Sequence, residues 1–82
     1  MDRAEVARGP AVDGTVVGTV AEFDDAAGYG TVVADELGAR WFFHCTTIAD
    51  GSRTIAVGAA VCFEVEAGRL GRYEAVNLRP AA

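Results

Sequence analysis

Two short stretches hold the side chains best suited to chemistry, Gly28-Tyr29-Gly30-Thr31-Val32-Val33 and Arg40-Trp41-Phe42-Phe43-His44. Both read as strands, in which successive side chains point to opposite sides. Val32 and Ala34 then share one face, and Tyr29, Thr31 and Val33 the other. In the second stretch Trp41 and Phe43 pair on one face, Phe42 and His44 on the opposite one. With Trp41 and Phe43 in a core, Phe42 and His44 look outward beside Tyr29. Rings on the outer face of a small sheet suit the stacking of unpaired bases. A histidine beside them can stack or donate to a base.

Other chemistries find poor footing. His44 is the only histidine and Ser52 the only serine, so a Ser-His arrangement would depend on a loop. Cys45 and Cys62 with His44 make no zinc spacing, and His44 and Cys45, adjacent on a strand, are expected to point opposite ways. Gly28-x-Gly30 is not followed by a helical pattern and is no dinucleotide fingerprint. Asp24, Asp25, Asp35 and Glu36 read as solvated turn residues without a calcium-loop pattern. We therefore expect no enzyme, no metal and no small-molecule cofactor. Arg40, Arg53, Arg69 and Arg72 are candidate phosphate contacts or a scattered solvated set; the solvated reading suits Arg69 and Arg72 better, and Arg53 is the best placed for phosphate, in the loop beside the ring-bearing face.

The elements that must position these rings follow from the alternation. Eighty-two residues make one domain, small enough to bury only about 60% of its unfolded surface. Residues 1–12 read as a flexible tail. The first strand spans Asp13–Phe23, with Gly18 suggesting a bulge or bend. A turn over Asp24–Gly28 leads to strands at Tyr29–Ala34 and Arg40–His44 or Cys45, joined through Asp35–Ala39. Thr46 or Thr47 is placed to cap one helical turn. Ala60–Ala67 is the clearest period-two run, with Val61, Phe63 and Val65 inward. Tyr73–Leu78 is the last strand, and Pro80 is expected to end order. Residues 13–80 thus form the domain, and 81–82 a loose end. Five short strands with one long loop suit a closed Greek-key barrel, which removes bare edges.

No apolar run approaches the roughly 20 residues of a membrane span, and two cysteines are too few for a disulfide framework. A cytoplasmic protein with no membrane partner is the reading. The net charge of −5, from seven Arg, no Lys and twelve acidic residues, opposes steering of a polyanion, whose affinity comes mainly from cationic contacts.

The ordered motifs resemble the bacterial cold-shock domain. They are Gly18-Thr19-Val20-Ala21-Glu22-Phe23-Asp24, then Gly28-Tyr29-Gly30-Thr31-Val32, then Trp41-Phe42-Phe43-His44-Cys45-Thr46-Thr47-Ile48, with later strands at Gly58–Val65 and Glu74–Leu78. The resemblance covers about residues 14–79. It implies an all-β fold, a five-stranded antiparallel Greek-key OB-fold barrel of cold-shock type. It also implies a role as RNA chaperone or regulator of expression, through binding of single-stranded RNA or DNA. Carried over by position, the site residues are Phe23, Tyr29, Phe42 and His44, with Arg53 near phosphate.

Several family residues are replaced. A Lys-Trp pair gives way to Ala21-Glu22, a Lys to Ala27, a second aromatic to Thr31 and a Phe to Cys45. Stacking contributes roughly 1–3 kcal/mol per base, so about three lost platforms imply weak binding. The alternative is a degenerate scaffold whose altered face, Ala21, Glu22, Thr31 and Cys45, binds another protein. Trp41 stands where the family carries Val, so the core is expected to rearrange around it.

Overall fold

The computed structural model describes residues 8–68 and 71–81. Five strands, β1 (Val16–Asp24), β2 (Tyr29–Ala34), β3 (Arg40–His44), β4 (Ala60–Ala67) and β5 (Tyr73–Pro80), form a closed barrel in the order β1-β2-β3-β5-β4. Four pairings are antiparallel, and a parallel contact, Phe42 opposite Glu74, closes the barrel between β3 and β5. The β2 and β4 boundaries are those that alternation predicts. β1 begins later than expected, at Val16.

Two expectations about breaks in the strands are corrected. The register of β1 against β2 shifts between Val20 and Glu22, so the bulge is at Ala21 and not at Gly18. Gly18 answers a different need. A Cβ there would run into the Val33 carbonyl and lie 3.1 Å from the Phe63 ring, so glycine permits a close backbone approach. Pro80 does not end order either. It pairs with Val61, and the Ala81 N–H donates to the Ala60 carbonyl at 3.1 Å. Proline is tolerated at a strand end, where its missing N–H removes little of the ladder.

The barrel interior holds Trp41, Phe43, Phe63, Leu78, Val20, Val32 and Val61, all essentially fully buried. Trp41 meets Phe63 edge to face, with ring centroids 5.6 Å apart, a geometry aromatic pairs favour. A buried indole N–H needs an acceptor, and it finds one outside the five strands: Trp41 Nε1 donates to the Pro10 carbonyl at 3.0 Å. The Gly9 N–H donates to the Arg40 carbonyl at 2.7 Å, and Arg8 bridges Trp41 in antiparallel fashion. Residues 8–10, expected as part of a flexible tail, are thus clasped to the start of β3. The rest of that segment, residues 1–7, lies outside the described residues.

One 3₁₀ turn, Cys45–Thr47, follows β3. Its cap is His44, and not Thr46 or Thr47 as the sequence suggests. The Thr46 N–H donates to His44 Nδ1 at 3.3 Å, and Thr47 Oγ1 donates to the His44 carbonyl at 2.7 Å. On the far side of the barrel, Glu64 accepts from Thr15 Oγ1, from Asn77 Nδ2 and from both terminal nitrogens of Arg79, at 2.9–3.1 Å. Asn77 has φ 56° at the β4–β5 register shift, so Glu64 fastens the second bulge. Among the described residues, no helix is long and apolar enough to cross a membrane.

Candidate nucleic-acid interface

Register sets out the ring-bearing face. β2 and β3 pair Tyr29 with His44, Thr31 with Phe42, and Val33 with Arg40. Residues directly opposite in a ladder share a face, so these six side chains lie on one surface. Trp41 and Phe43 are 0% and 1% exposed, whereas Tyr29 is 38% exposed, as the alternation predicts. Phe42 is half-buried and His44 is exposed. The Tyr29 and Phe42 rings meet edge to face, centroids 6.3 Å apart and planes at 71°. One ring therefore steadies the other while each keeps surface for a ligand.

Beside them runs an open groove of about 400 Å³, lined by Glu22, Phe23, Asp25, Tyr29, Thr31 and Phe42 among others. Phe23 reaches this groove from β1, and its ring also stacks on Phe43, nearly parallel, with centroids 5.8 Å apart. One of its faces is thus spent on the core.

Three expectations change here. Thr31, read as outward and as part of a protein-binding face, is only 3% exposed. The Ala21 bulge brings Glu22 opposite Thr31, whose hydroxyl makes a long 3.5 Å contact to Glu22 Oε1. The altered face therefore loses one of its four members. Cys45 leaves the strand to begin the 3₁₀ turn, so it does not point away from His44. Its Sγ lies 3.9 Å from His44 Nδ1. Arg53 is exposed in the loop after the turn, with φ 62°, and does not line the groove. Its neighbour Thr54 donates to Asp25 on the groove rim at 2.9 Å, which holds the loop beside the site. The Ser52 N–H donates to Asp50 Oδ1 at 2.8 Å, and this bond holds the Asp50 carboxyl below its ordinary value.

Sequence reasoning sets the Glu22 carboxylate where a base or phosphate would lie, but it missed Asp24 and Asp25, read as solvated turn residues, as further members of the groove wall. It also missed the role of Thr46, which fixes His44 through its N–H and through a 3.0 Å contact between Oγ1 and Nδ1. One signal was available: in β1 the apolar phase moves from even positions, Val16 and Val20, to odd Phe23, as a one-residue bulge requires.

The profile of the 'Cold-shock' DNA-binding domain family matches residues 16–81. The chain belongs to the cold-shock domain family. Among curated relatives, it is 43% identical over 63 residues to Cold shock-like protein CspA of Stigmatella aurantiaca, covering 76% of this chain and 91% of that one. It is 37% identical over 65 residues to Cold shock-like protein CspG of Shewanella violacea, covering 78% and 91%. Glycine-rich protein 2 of Nicotiana sylvestris is 42% identical over 62 residues, 74% of this chain, but the match spans only 29% of that longer protein. The cold-shock segment includes the whole barrel and every site residue considered above, while the clasp at residues 8–10 lies before it.

Proposed function

We propose that this protein binds single-stranded RNA or DNA by stacking bases on Tyr29, Phe42 and His44, with Phe23 beside them and Arg53 near a phosphate. The observation that carries the reading is the presentation of Tyr29, Phe42 and His44 on one outward surface while Trp41 and Phe43 fill the core. Binding is weak. Glu22, Asp24 and Asp25 line the groove and repel phosphate, and stacking platforms worth roughly 1–3 kcal/mol each are replaced at Glu22, Thr31 and Cys45. In a cell it acts from the cytoplasm as an RNA chaperone or regulator of expression, without catalysis.

The test is an NMR titration with oligo-dT and oligo-U at low and moderate salt. Shifts centred on Tyr29, Phe42 and His44 are expected, with affinity falling as salt rises. The double variant Ala21→Lys with Glu22→Trp is expected to bind more tightly. No response at low salt, or unchanged binding in that variant, would overturn the reading.

A further inference from the structure

Charge is divided across the proposed binding surface. The β1 side of the groove is acidic, with Glu22, Asp24 and Asp25. The opposite side is the β3–β5 seam, and there the charged residues are largely arginines. Arg40 lies two residues before Phe42 in β3, on the same outward face, at a strand distance of about 7 Å. The parallel register that sets Phe42 beside Glu74 carries Arg72 toward the same end of the seam as Arg40. The clasp inserts Arg8 there, since residues 8–10 bond to Arg40 and Trp41 and share a concavity of about 320 Å³ with Gly71, Arg72 and Tyr73.

These arginines are not engaged elsewhere. Among the described residues, Arg8, Arg40 and Arg72 have no carboxylate within ion-pair distance, in contrast to Arg79, which grips Glu64 at 2.9 Å. The nearby acids are turned to other contacts. The Glu74 carboxylate packs over Gly68, where an added Cβ would collide with it, on the β4 side of β5. Asp35 in the β2–β3 turn accepts from Thr19 Oγ1 at 2.9 Å. Three unpaired guanidinium groups around one seam stand out in a chain of net charge −5.

We propose that the phosphate backbone of a bound single strand follows this seam, contacting Arg40 and Arg72, with Arg8 supplied by the N-terminal clasp. The proposal rests on the reading that bases stack on Tyr29 and Phe42, and it adds the path of the backbone. Guanidinium groups match phosphate with bidentate hydrogen bonds, and acidic groove walls push the backbone to the far side. Such contacts position the strand and carry no base preference.

The experiment measures affinity for oligo-dT and for a mixed-sequence oligomer as a function of salt, in the wild type and in Arg8→Gln, Arg40→Gln, Arg72→Gln, the Arg40/Arg72 double variant and Phe42→Ala. Each arginine contact on a single strand contributes about 0.7 to the slope of log K against log salt. Each single variant is therefore expected to lower the slope by about 0.7. The double variant should lose about sevenfold less affinity than the wild type over a fourfold rise in salt, equally for both oligomers. Arg8→Gln leaves the clasp intact, because the clasp is made by backbone groups and the Trp41 indole, and unchanged Trp41 emission verifies this. Slopes unchanged in the Arg40/Arg72 double variant, with Phe42→Ala still weakening binding, would overturn the seam path and leave the stacking reading standing. Wild-type protein that binds neither oligomer at low salt would overturn both.

Discussion

Replacing Gly9 with Ala is expected to unfasten the clasp. A Cβ on Gly9 would lie 2.5 Å from Trp41 Nε1 and 2.7 Å from the Arg40 carbonyl oxygen. Neither neighbour is the free end of a flexible side chain, so the segment must move. In moving it gives up the Gly9–Arg40 and Pro10–Trp41 hydrogen bonds. A net hydrogen bond contributes about 0.5–1.5 kcal/mol, and a buried donor left without a partner costs about 1–3 kcal/mol. Trp41 has no exposed surface, so its indole N–H belongs to the second case until water reaches it. The loss is bounded above, because residues 8–10 can leave the barrel without unfolding it. We expect a destabilisation of about 1–3 kcal/mol. In a domain of this size each kcal/mol moves Tm by about 4–8 °C, so Tm should fall by between about 4 and about 24 °C. Trp41 is the only tryptophan, so its emission reports the event directly and should shift to the red before global unfolding. Removing residues 1–10 should produce a similar loss and a similar shift. A Gly9→Ala protein with unchanged melting and unchanged emission would refute the claim that the N-terminal segment completes the core.

Tyr29→Ala is expected to weaken oligo-dT binding by about 5- to 150-fold, the equivalent of one stacking platform, with Tm nearly unchanged; isothermal titration checks it. Glu22→Gln keeps the contact with Thr31 and removes a charge from the groove, so binding should strengthen roughly two- to fivefold at low salt and converge on wild type at high salt. Hydrogen bonds from Arg79, Asn77 and Thr15 depress the Glu64 carboxyl from 4.5 to about 2. Its contribution to stability is therefore fully present above pH about 4.5 and is lost as pH falls through about 2. Acid unfolding followed by circular dichroism should show the wild type more stable than Glu64→Gln at neutral pH, with the gap closing between pH about 4.5 and about 2. A gap independent of pH in that window would count against the assignment.

Strands and their inward faces were legible because one face of each is buried, which imposes a period of two. Val61 and Phe63 in β4, and Trp41 and Phe43 in β3, show it plainly. Where the ladder loses step, the same reasoning finds the right face and misjudges the exposure. Thr31 does lie on the outward face with Phe42, but it is covered, and nothing in β2 itself announces that the Ala21 bulge on the neighbouring strand lays Glu22 over it. Order at Pro80 was missed for a related reason, since local chemistry marks it as a terminator and only the pairing with Val61 retains it. The clasp was the least visible feature. Arg8-Gly9-Pro10 is polar and breaker-rich and reads as a tail, and its partner lies 31 residues away. Its one trace was an indole that must find an acceptor, at a position where the family carries Val.

The cap on the 3₁₀ turn constrains what His44 can recognise. Nδ1 accepts the Thr46 N–H, so in the neutral ring the proton resides on Nε2. The tautomer is chosen by the fold before any ligand arrives. Toward a base, that nitrogen can give a hydrogen bond but cannot receive one. In the proposed complex it would therefore favour acceptor atoms of a base, carbonyl oxygens such as thymine O4 or guanine O6 and unprotonated ring nitrogens, over the exocyclic amines of adenine and cytosine.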